Sequence, residues 1–131
     1  MLRRTLLAAP AVLFVAAGAR AAEPGFKASY LVKRRSDFSF EAFEAYQLET
    51  HVPLVLALPG LRRYELEFFR PADGKDQPFD AAAHTWFDDK AANDAAFQTE
   101  PAGKALADLP NFLDTEAMVV LVGDMALAER F

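Results

Sequence analysis

The chain has 131 residues, a formal net charge of −5 at neutral pH and no cysteine. This length fits one domain with a single hydrophobic core, and the lack of cysteine excludes disulfides, thiolate nucleophiles and zinc-thiolate sites. The excess of acidic residues argues against nucleic-acid binding, because phosphate groups would be repelled.

The first 21 residues have the three-part pattern of an export signal. Arg3 and Arg4 precede an apolar run from Leu6 to Ala17, and small residues follow it. The run has roughly 12 residues, whereas a membrane-spanning helix needs about 20, so cleavage is favoured over retention as an anchor. The paired arginines indicate a twin-arginine signal, with an ordinary secretory signal as the alternative. The sequence therefore predicts a signal peptide over 1–21 and a periplasmic or secreted domain over 22–131.

A strand and a long helix open the predicted domain. Residues 28–34 are rich in β-formers and predict the strand. Ser39 is the predicted N-cap of the helix, which ends before Pro59. Pro53 lies inside this helix and predicts a kink near His51, because proline lacks an N–H group and clashes with the carbonyl four residues earlier.

The second half of the chain predicts two more strands, two helices and a last strand. Residues 61–70 alternate apolar and charged side chains, and 79–87 follow after a turn. Helices are predicted over about 89–99 and 101–107, and the apolar run 118–122 predicts a central strand. The order β-α-β-β-α-β is that of a ferredoxin-like α+β fold, with both helical layers on one sheet face. The uncovered face predicts a homodimer.

The first helix carries the candidate site. At about 100° per residue, Gln47, Thr50 and His51 fall on the stripe that faces the sheet. Buried polar groups need partners, water or a ligand, which predicts a cavity between helix and sheet. His51 is the candidate general acid or base, since histidine titrates near neutral pH. The alternative is a structural histidine bonded to a nearby carbonyl, such as the one that Pro53 frees at Glu49.

Further aromatic residues extend the candidate pocket. Tyr64 on its strand and Tyr46 on the helix could donate hydrogen bonds to the cavity, although ordinary packing explains each of them as well. Alternation places His84 and Trp86 on one strand face and leaves open which face that is, with Trp86 a candidate pocket residue. The sequence shows no metal-ligand spacing and no phosphate-binding or nucleotide motif, so no cofactor is expected.

Four segments of the chain resemble the EthD family, whose members are associated with ethyl tert-butyl ether degradation and are often called reductases. They are 51–55 (HVPLV), 58–64 (LPGLRRY), 86–89 (WFDD) and 107–112 (ADLPNF). The resemblance covers about residues 28–124 and implies a ferredoxin-like domain that forms a dimeric α+β barrel. It carries over four site residues: His51, Tyr64, Asp108 and Asn111.

The residues and the resemblance together favour a small exported enzyme that acts on an apolar or aromatic molecule, with His51 as acid or base and no metal or nucleotide. The resemblance implies a place in xenobiotic degradation. A reductase role is disfavoured, because no cofactor motif is present and reduced nicotinamide is not expected outside the cytoplasm. One alternative is a non-catalytic protein that holds a hydrophobic ligand or haem in the same cavity. Another is a dimeric structural module whose polar helix residues are satisfied internally.

Overall fold

A computed structural model describes residues 23–130. The predicted signal peptide over 1–21 lies outside the described residues. The strands are β1 (Phe26–Val32), β2 (Arg63–Phe68), β3 (Ala81–Phe87) and β4 (Val119–Asp124), and the helices are α1 (Phe40–Tyr46), α2 (Val52–Leu56), α3 (Lys90–Ala96) and α4 (Glu100–Asp108). Within this part of the chain, no helix has the length and apolar character needed to cross a membrane.

The four strands form one sheet in the order β2-β3-β1-β4, and every neighbouring pair is antiparallel. The predicted ferredoxin-like α+β fold is therefore confirmed. Residues of β2 alternate between exposed and half-buried, as the sequence predicted. On β3, the side chains of Ala81, Ala83, Thr85 and Phe87 face the helices, because they belong to the core or line the space beneath it.

The helix predicted after Ser39 is interrupted by a π-helical turn. Ser39 caps α1 as predicted, since its Oγ accepts a hydrogen bond from the N–H of Ala42 at 3.1 Å. A π turn then spans Gln47–His51 and leads directly into α2. The interruption coincides with the kink predicted near His51. Pro53 lies in the first turn of α2, where its missing N–H group costs little.

The π turn changes which residues face the sheet. In a continuous α-helix, Phe43 and Val55 would lie about 120° apart around the axis, yet both are buried. The turn adds one residue to the helix, so His51 occupies the angular position predicted for Thr50. Thr50 is exposed, and its assignment to the pocket is therefore wrong.

The apolar run near the C-terminus was predicted to form a central strand, and this is also wrong. β4 is an edge strand that pairs only with β1. Val119, Val120, Leu121 and Val122 are 37%, 46%, 57% and 64% exposed. A run of apolar residues indicates that a strand is to be buried, but within the described residues β4 has a neighbouring strand on one side only.

Two clusters of buried side chains fill the space between helices and sheet. One is centred on Phe43, Val32 and Phe112, and the other on Val55 and Phe87. Phe43, Phe87 and Phe112 are the largest fully buried side chains among the described residues. The candidate site lies between the two clusters.

Candidate active site

A cavity of about 60 Å³ lies between the first helical region and the sheet. Its walls are mostly apolar, and Leu106, at one side, is 48% exposed. The polar residues along it are Tyr30, Gln47, His51, Tyr64 and Thr85. A volume of this size holds about four or five water molecules or a compact organic molecule of similar atom count.

His51 is held in the cavity wall by a buried carboxylate. The imidazole Nδ1 lies 2.9 Å from Oδ2 of Asp108, and its ring packs against Phe112 with the centroids 4.8 Å apart. Tyr46 donates its hydroxyl hydrogen to Oδ1 of Asp108 at 2.6 Å, and Asn111 donates an amide hydrogen to the same oxygen at 3.1 Å. The structural alternative of a bond from His51 to the Glu49 carbonyl is not what holds the ring.

The hydrogen bonds around Asp108 keep it ionised. Burial raises the pKa of Asp108, but the hydrogen bonds from Tyr46, Asn111 and His51 outweigh it and leave the pKa below its usual range. The hydrogen bond to Asp108 raises the pKa of Tyr46, so this phenol remains a donor.

The charge of Asp108 determines the tautomer of His51. An ionised carboxylate can only accept hydrogen bonds, so Nδ1 must carry a hydrogen. In the neutral ring, Nε2 then has the lone pair, on the ring edge away from Asp108. His51 is thereby arranged as a base towards a ligand.

Three other buried polar atoms near the cavity lack hydrogen-bond partners of standard geometry. They are Oε1 of Gln47, the hydroxyl of Tyr64 and Oγ1 of Thr85. Burial raises the pKa of Tyr64 to about 12, with a smaller contribution from Tyr30. Burial also raises the pKa of Tyr30, which the neighbouring Thr85 hydroxyl partly offsets. An unsatisfied buried polar group costs about 1–3 kcal/mol, so the cluster indicates a place for water or ligand.

The residues predicted for the pocket fall into three groups. Gln47, His51 and Tyr64 line the cavity. Tyr46, Asp108 and Asn111 are not among the lining residues; Asp108 bonds to His51, and Tyr46 and Asn111 bond to Asp108. Thr50 and Trp86 form the third group, which neither lines the cavity nor bonds to Asp108.

Trp86 lies on the uncovered face of the sheet, so its assignment to the pocket is wrong. Trp86 follows Thr85 on β3, so strand alternation points its side chain to the other face of the sheet. Its direct cross-strand partners are Lys27 and Arg63. Their charged groups lie 4.9 and 4.7 Å from the indole centroid and cover the ring on both sides. His84 shares this face.

Tyr30 and Thr85 also line the cavity, which the sequence pattern did not predict. Tyr30 lies in the run of β-formers that predicts β1, and Thr85 lies between His84 and Trp86 on β3. Strand alternation does place Thr85 on the face opposite His84, but the sequence does not show which face is covered. Among the described residues, no group of three or more His, Cys, Asp or Glu side chains could hold a metal ion.

The sheet order and its helical layer define a ferredoxin-like α+β domain, the fold of the dimeric α+β barrel superfamily. Residues 35–116 match the EthD domain family, and the chain belongs to this family. It is 32% identical over 71 residues to an uncharacterized 11.0 kDa protein in the thcB-thcC intergenic region of Rhodococcus erythropolis, with 54% of this chain and 69% of that protein covered.

Solved structures of the same fold include an EthD family protein from Bacillus halodurans, with a TM-score of 0.66, 22% identity and coverage of 77% of this chain and 98% of that one. A dimeric ferredoxin-like protein from Thermobifida fusca has a TM-score of 0.62, 16% identity and coverage of 78% and 92%. The hydroxynitrile lyase of Passiflora edulis has a TM-score of 0.62, 15% identity and coverage of 82% and 98%. At these identities the likeness shows the fold alone.

Proposed function

We propose that this protein is a small enzyme that binds a compact, largely apolar molecule and uses His51 as general acid and base, without a metal or nucleotide cofactor. The observation that carries the proposal is the His51–Asp108 pair in the wall of a cavity. That a hydroxynitrile lyase has the same fold supports an enzymatic role for such a cavity.

The arrangement suits reversible proton transfer. Nε2 of His51 accepts a proton from the bound molecule, and the carboxylate of Asp108 stabilises the resulting imidazolium. The proton can then return to the product, so the enzyme needs no external co-reactant. The cavity of about 60 Å³ favours a compact substrate, because a dry cavity that binds benzene has about 150 Å³. An aromatic substrate would require the wall near Leu106 to move.

The test is turnover of a compact probe by the full chain and two variants. Acetone cyanohydrin is suitable, since removal of its hydroxyl proton releases acetone and cyanide, which takes up a proton. We expect His51→Gln to lower the rate by at least about 100-fold. Thr50→Ala, at the exposed neighbouring residue, should keep it. Turnover that is equal in both variants would refute the role of His51.

A non-catalytic binding protein is the second candidate, favoured by the mostly apolar cavity wall. Native mass spectrometry of protein purified from its own compartment separates the two. A small molecule that stays bound and chemically unchanged supports the binding protein, whereas a processed molecule supports the enzyme. Haem does not fit, because a cavity of about 60 Å³ is far smaller than the macrocycle.

We also propose that the protein works as a homodimer. The sheet face with His84 and Trp86 has no helical cover, β4 exposes four apolar side chains, and a structural neighbour is described as dimeric. Sedimentation at micromolar concentration should give twice the mass of the chain, and a monomer there would contradict the proposal.

Export remains a proposal that rests on the sequence. Replacing Arg3 and Arg4 by lysine keeps the charge but removes the twin-arginine pair. We expect the variant to remain in the cytoplasm, as cell fractionation would show. Unchanged export would instead support an ordinary secretory signal.

A further inference from the structure

The sheet side of the cavity carries hydroxyl groups that have no part in the proton transfer proposed for His51. Tyr64 of β2 and Thr85 of β3 are direct cross-strand partners, and both side chains line the cavity. Their hydroxyl oxygens are buried without partners of standard geometry, and the Tyr30 hydroxyl is the neighbour with which Thr85 interacts. Side chains directly opposite each other have their Cβ atoms about 5 Å apart. Because both hydroxyls also lie on the wall of one cavity of about 60 Å³, a single ligand oxygen there can accept from both.

The protonation state of Tyr64 supports a donor role. Burial raises its pKa to about 12, so the phenol keeps its hydrogen over the physiological range. Thr85 always carries a hydroxyl hydrogen. A ligand oxygen that gains negative charge during a reaction would be stabilised by both groups.

The helix side of the cavity adds one acceptor. Gln47 is 2% exposed, its side chain lines the cavity, and its Oε1 atom has no partner. An amide oxygen accepts hydrogen bonds only. The cavity therefore presents hydroxyl donors on the sheet, including those of Tyr64 and Thr85, and two acceptors on the first helical region, Oε1 of Gln47 and Nε2 of His51.

The charges around the cavity favour a neutral ligand. No lysine or arginine is among the described residues that line it. The carboxylate of Asp108 lies directly behind His51, at 2.9 Å from Nδ1. A carboxylate ligand would be repelled by this charge, whereas a carbonyl compound would not.

We propose that the cavity binds a small α-hydroxycarbonyl compound, whose carbonyl oxygen accepts from Tyr64 and Thr85 and whose hydroxyl donates to Gln47. This inference rests on the proposed function and names its substrate class. Nε2 of His51 removes a proton from the carbon that bears the hydroxyl. The C–H electron pair forms the C=C bond of an enediolate, and the carbonyl π pair moves to the oxygen between the two hydroxyls. Return of a proton to the same carbon restores the compound.

Hydroxyacetone in D₂O provides the test, because exchange of its hydroxymethyl hydrogens is followed directly by NMR. The full chain should accelerate the exchange. Tyr64→Phe and Thr85→Val should each slow it by on the order of 100-fold, the usual cost of one oxyanion donor. Thr50→Val makes the same change at an exposed position and should have no effect. Gln47→Leu should remove the preference for hydroxyacetone over acetone.

A second measurement reports binding without exchange. The ¹³C shift of the carbonyl in labelled hydroxyacetone bound to His51→Gln should move downfield, and adding Tyr64→Phe or Thr85→Val should reverse the move. Thermal unfolding of each variant checks that the fold is retained. A carbonyl shift of the bound ligand that is unchanged by Tyr64→Phe and by Thr85→Val overturns the inference. Tighter binding of acetate than of hydroxyacetone also overturns it.

The two proposals fail in different ways. Exchange that needs His51 but neither hydroxyl leaves the acid–base role intact and rejects the α-hydroxycarbonyl substrate. A carbonyl shift that needs both hydroxyls, with exchange independent of His51, keeps the ligand class and rejects the base. If the wild-type chain neither exchanges hydroxyacetone nor shifts its carbonyl signal, the inference is rejected.

Discussion

Each side of the sheet has one histidine, and the two are held in different ways. His51, on the helical side, is 6% exposed and bonded to the carboxylate of Asp108. His84, on the uncovered side, has Nδ1 at 2.9 Å from Oγ of Ser29 and Nε2 at 3.8 Å from the carboxylate of Glu67. A carboxylate only accepts, whereas a hydroxyl donates or accepts. The tautomer is therefore fixed on the side of the cavity and left variable on the other side.

The surroundings of the two rings differ as well. Phe112 packs against His51, and the wall of its cavity is mostly apolar, with the polar groups of Gln47, Tyr64 and Thr85 set into it. Next to His84, Trp86 lies between two cations and has only 5% of its surface exposed. The helical side encloses a cavity, and the other side has an aromatic residue with charged neighbours, a composition typical of interfaces.

The largest effect on the uncovered side is expected from Trp86→Ala. The indole is almost fully buried between Lys27 and Arg63, and its loss should lower the free energy of unfolding by about 3 kcal/mol. Urea unfolding measures this, and sedimentation should show a weakened dimer. Turnover per folded chain should change little, and a loss of turnover as large as that of His51→Gln would contradict the separation of the two sides.

Asp108→Asn should reduce turnover while His51 remains in place. An asparagine can donate to Nδ1, which favours the tautomer with hydrogen on Nε2 and removes the base. We expect the rate to fall by at least about 100-fold, the lower end of what a positioned general base contributes. Nitrogen NMR of the ring should find hydrogen on Nδ1 in the wild type and on Nε2 in the variant. The same tautomer in both proteins would refute this account.

Low pH should lower the free energy of unfolding of the wild type, because Asp108 becomes protonated. Its pKa in the folded state lies below the ordinary 3.8, so its hydrogen bonds add stability above that value and lose it as the pH falls through the folded pKa. Between about pH 5 and about pH 2, the free energy of unfolding of the wild type should therefore fall more than that of Asp108→Asn. Parallel curves for the two proteins would show that Asp108 contributes nothing to acid stability.

Ser29→Ala should have the smallest effect. It removes one partly buried hydrogen bond to His84, which is worth about 0.5–1 kcal/mol of unfolding free energy. Turnover should stay at the wild-type level, because Ser29 and His84 lie on the side away from the cavity. A lower rate would couple the two sides and require a different account.

Much of the fold could be predicted from local patterns. The alternation in β2, the capping by Ser39 and the proline inside the first helical region each led to a correct element. The position of β4 could not be predicted, because an apolar run shows that a strand is to be covered but not by which chain. The position of β4 depends on its pairing with β1, a strand about 90 residues earlier in the chain.

The site was predictable only in part, for two physical reasons. The π turn contains one extra residue, so every later residue of the helix lies about 100° from the position that a regular α-helix predicts. For this reason His51 lies at the angle predicted for Thr50. The hydroxyls of Tyr30 and Thr85 reach the cavity from strands whose covered face is set by tertiary packing. The family resemblance predicted Asp108 and Asn111 as site residues. Only the structure shows that Asp108 bonds to His51 and that Asn111 bonds to Asp108.

The π turn also gives a simple way to compare relatives of this chain. A protein that lacks one residue between Gln47 and Val52 could form the same fold with an unbroken α-helix. Its residue directly before the position of Val52 would then keep the angular position that His51 has here, because the missing residue and the missing π turn offset each other. The length of this short segment should therefore show which relatives form the π turn, and a histidine directly before the position of Val52 should mark those that share the site.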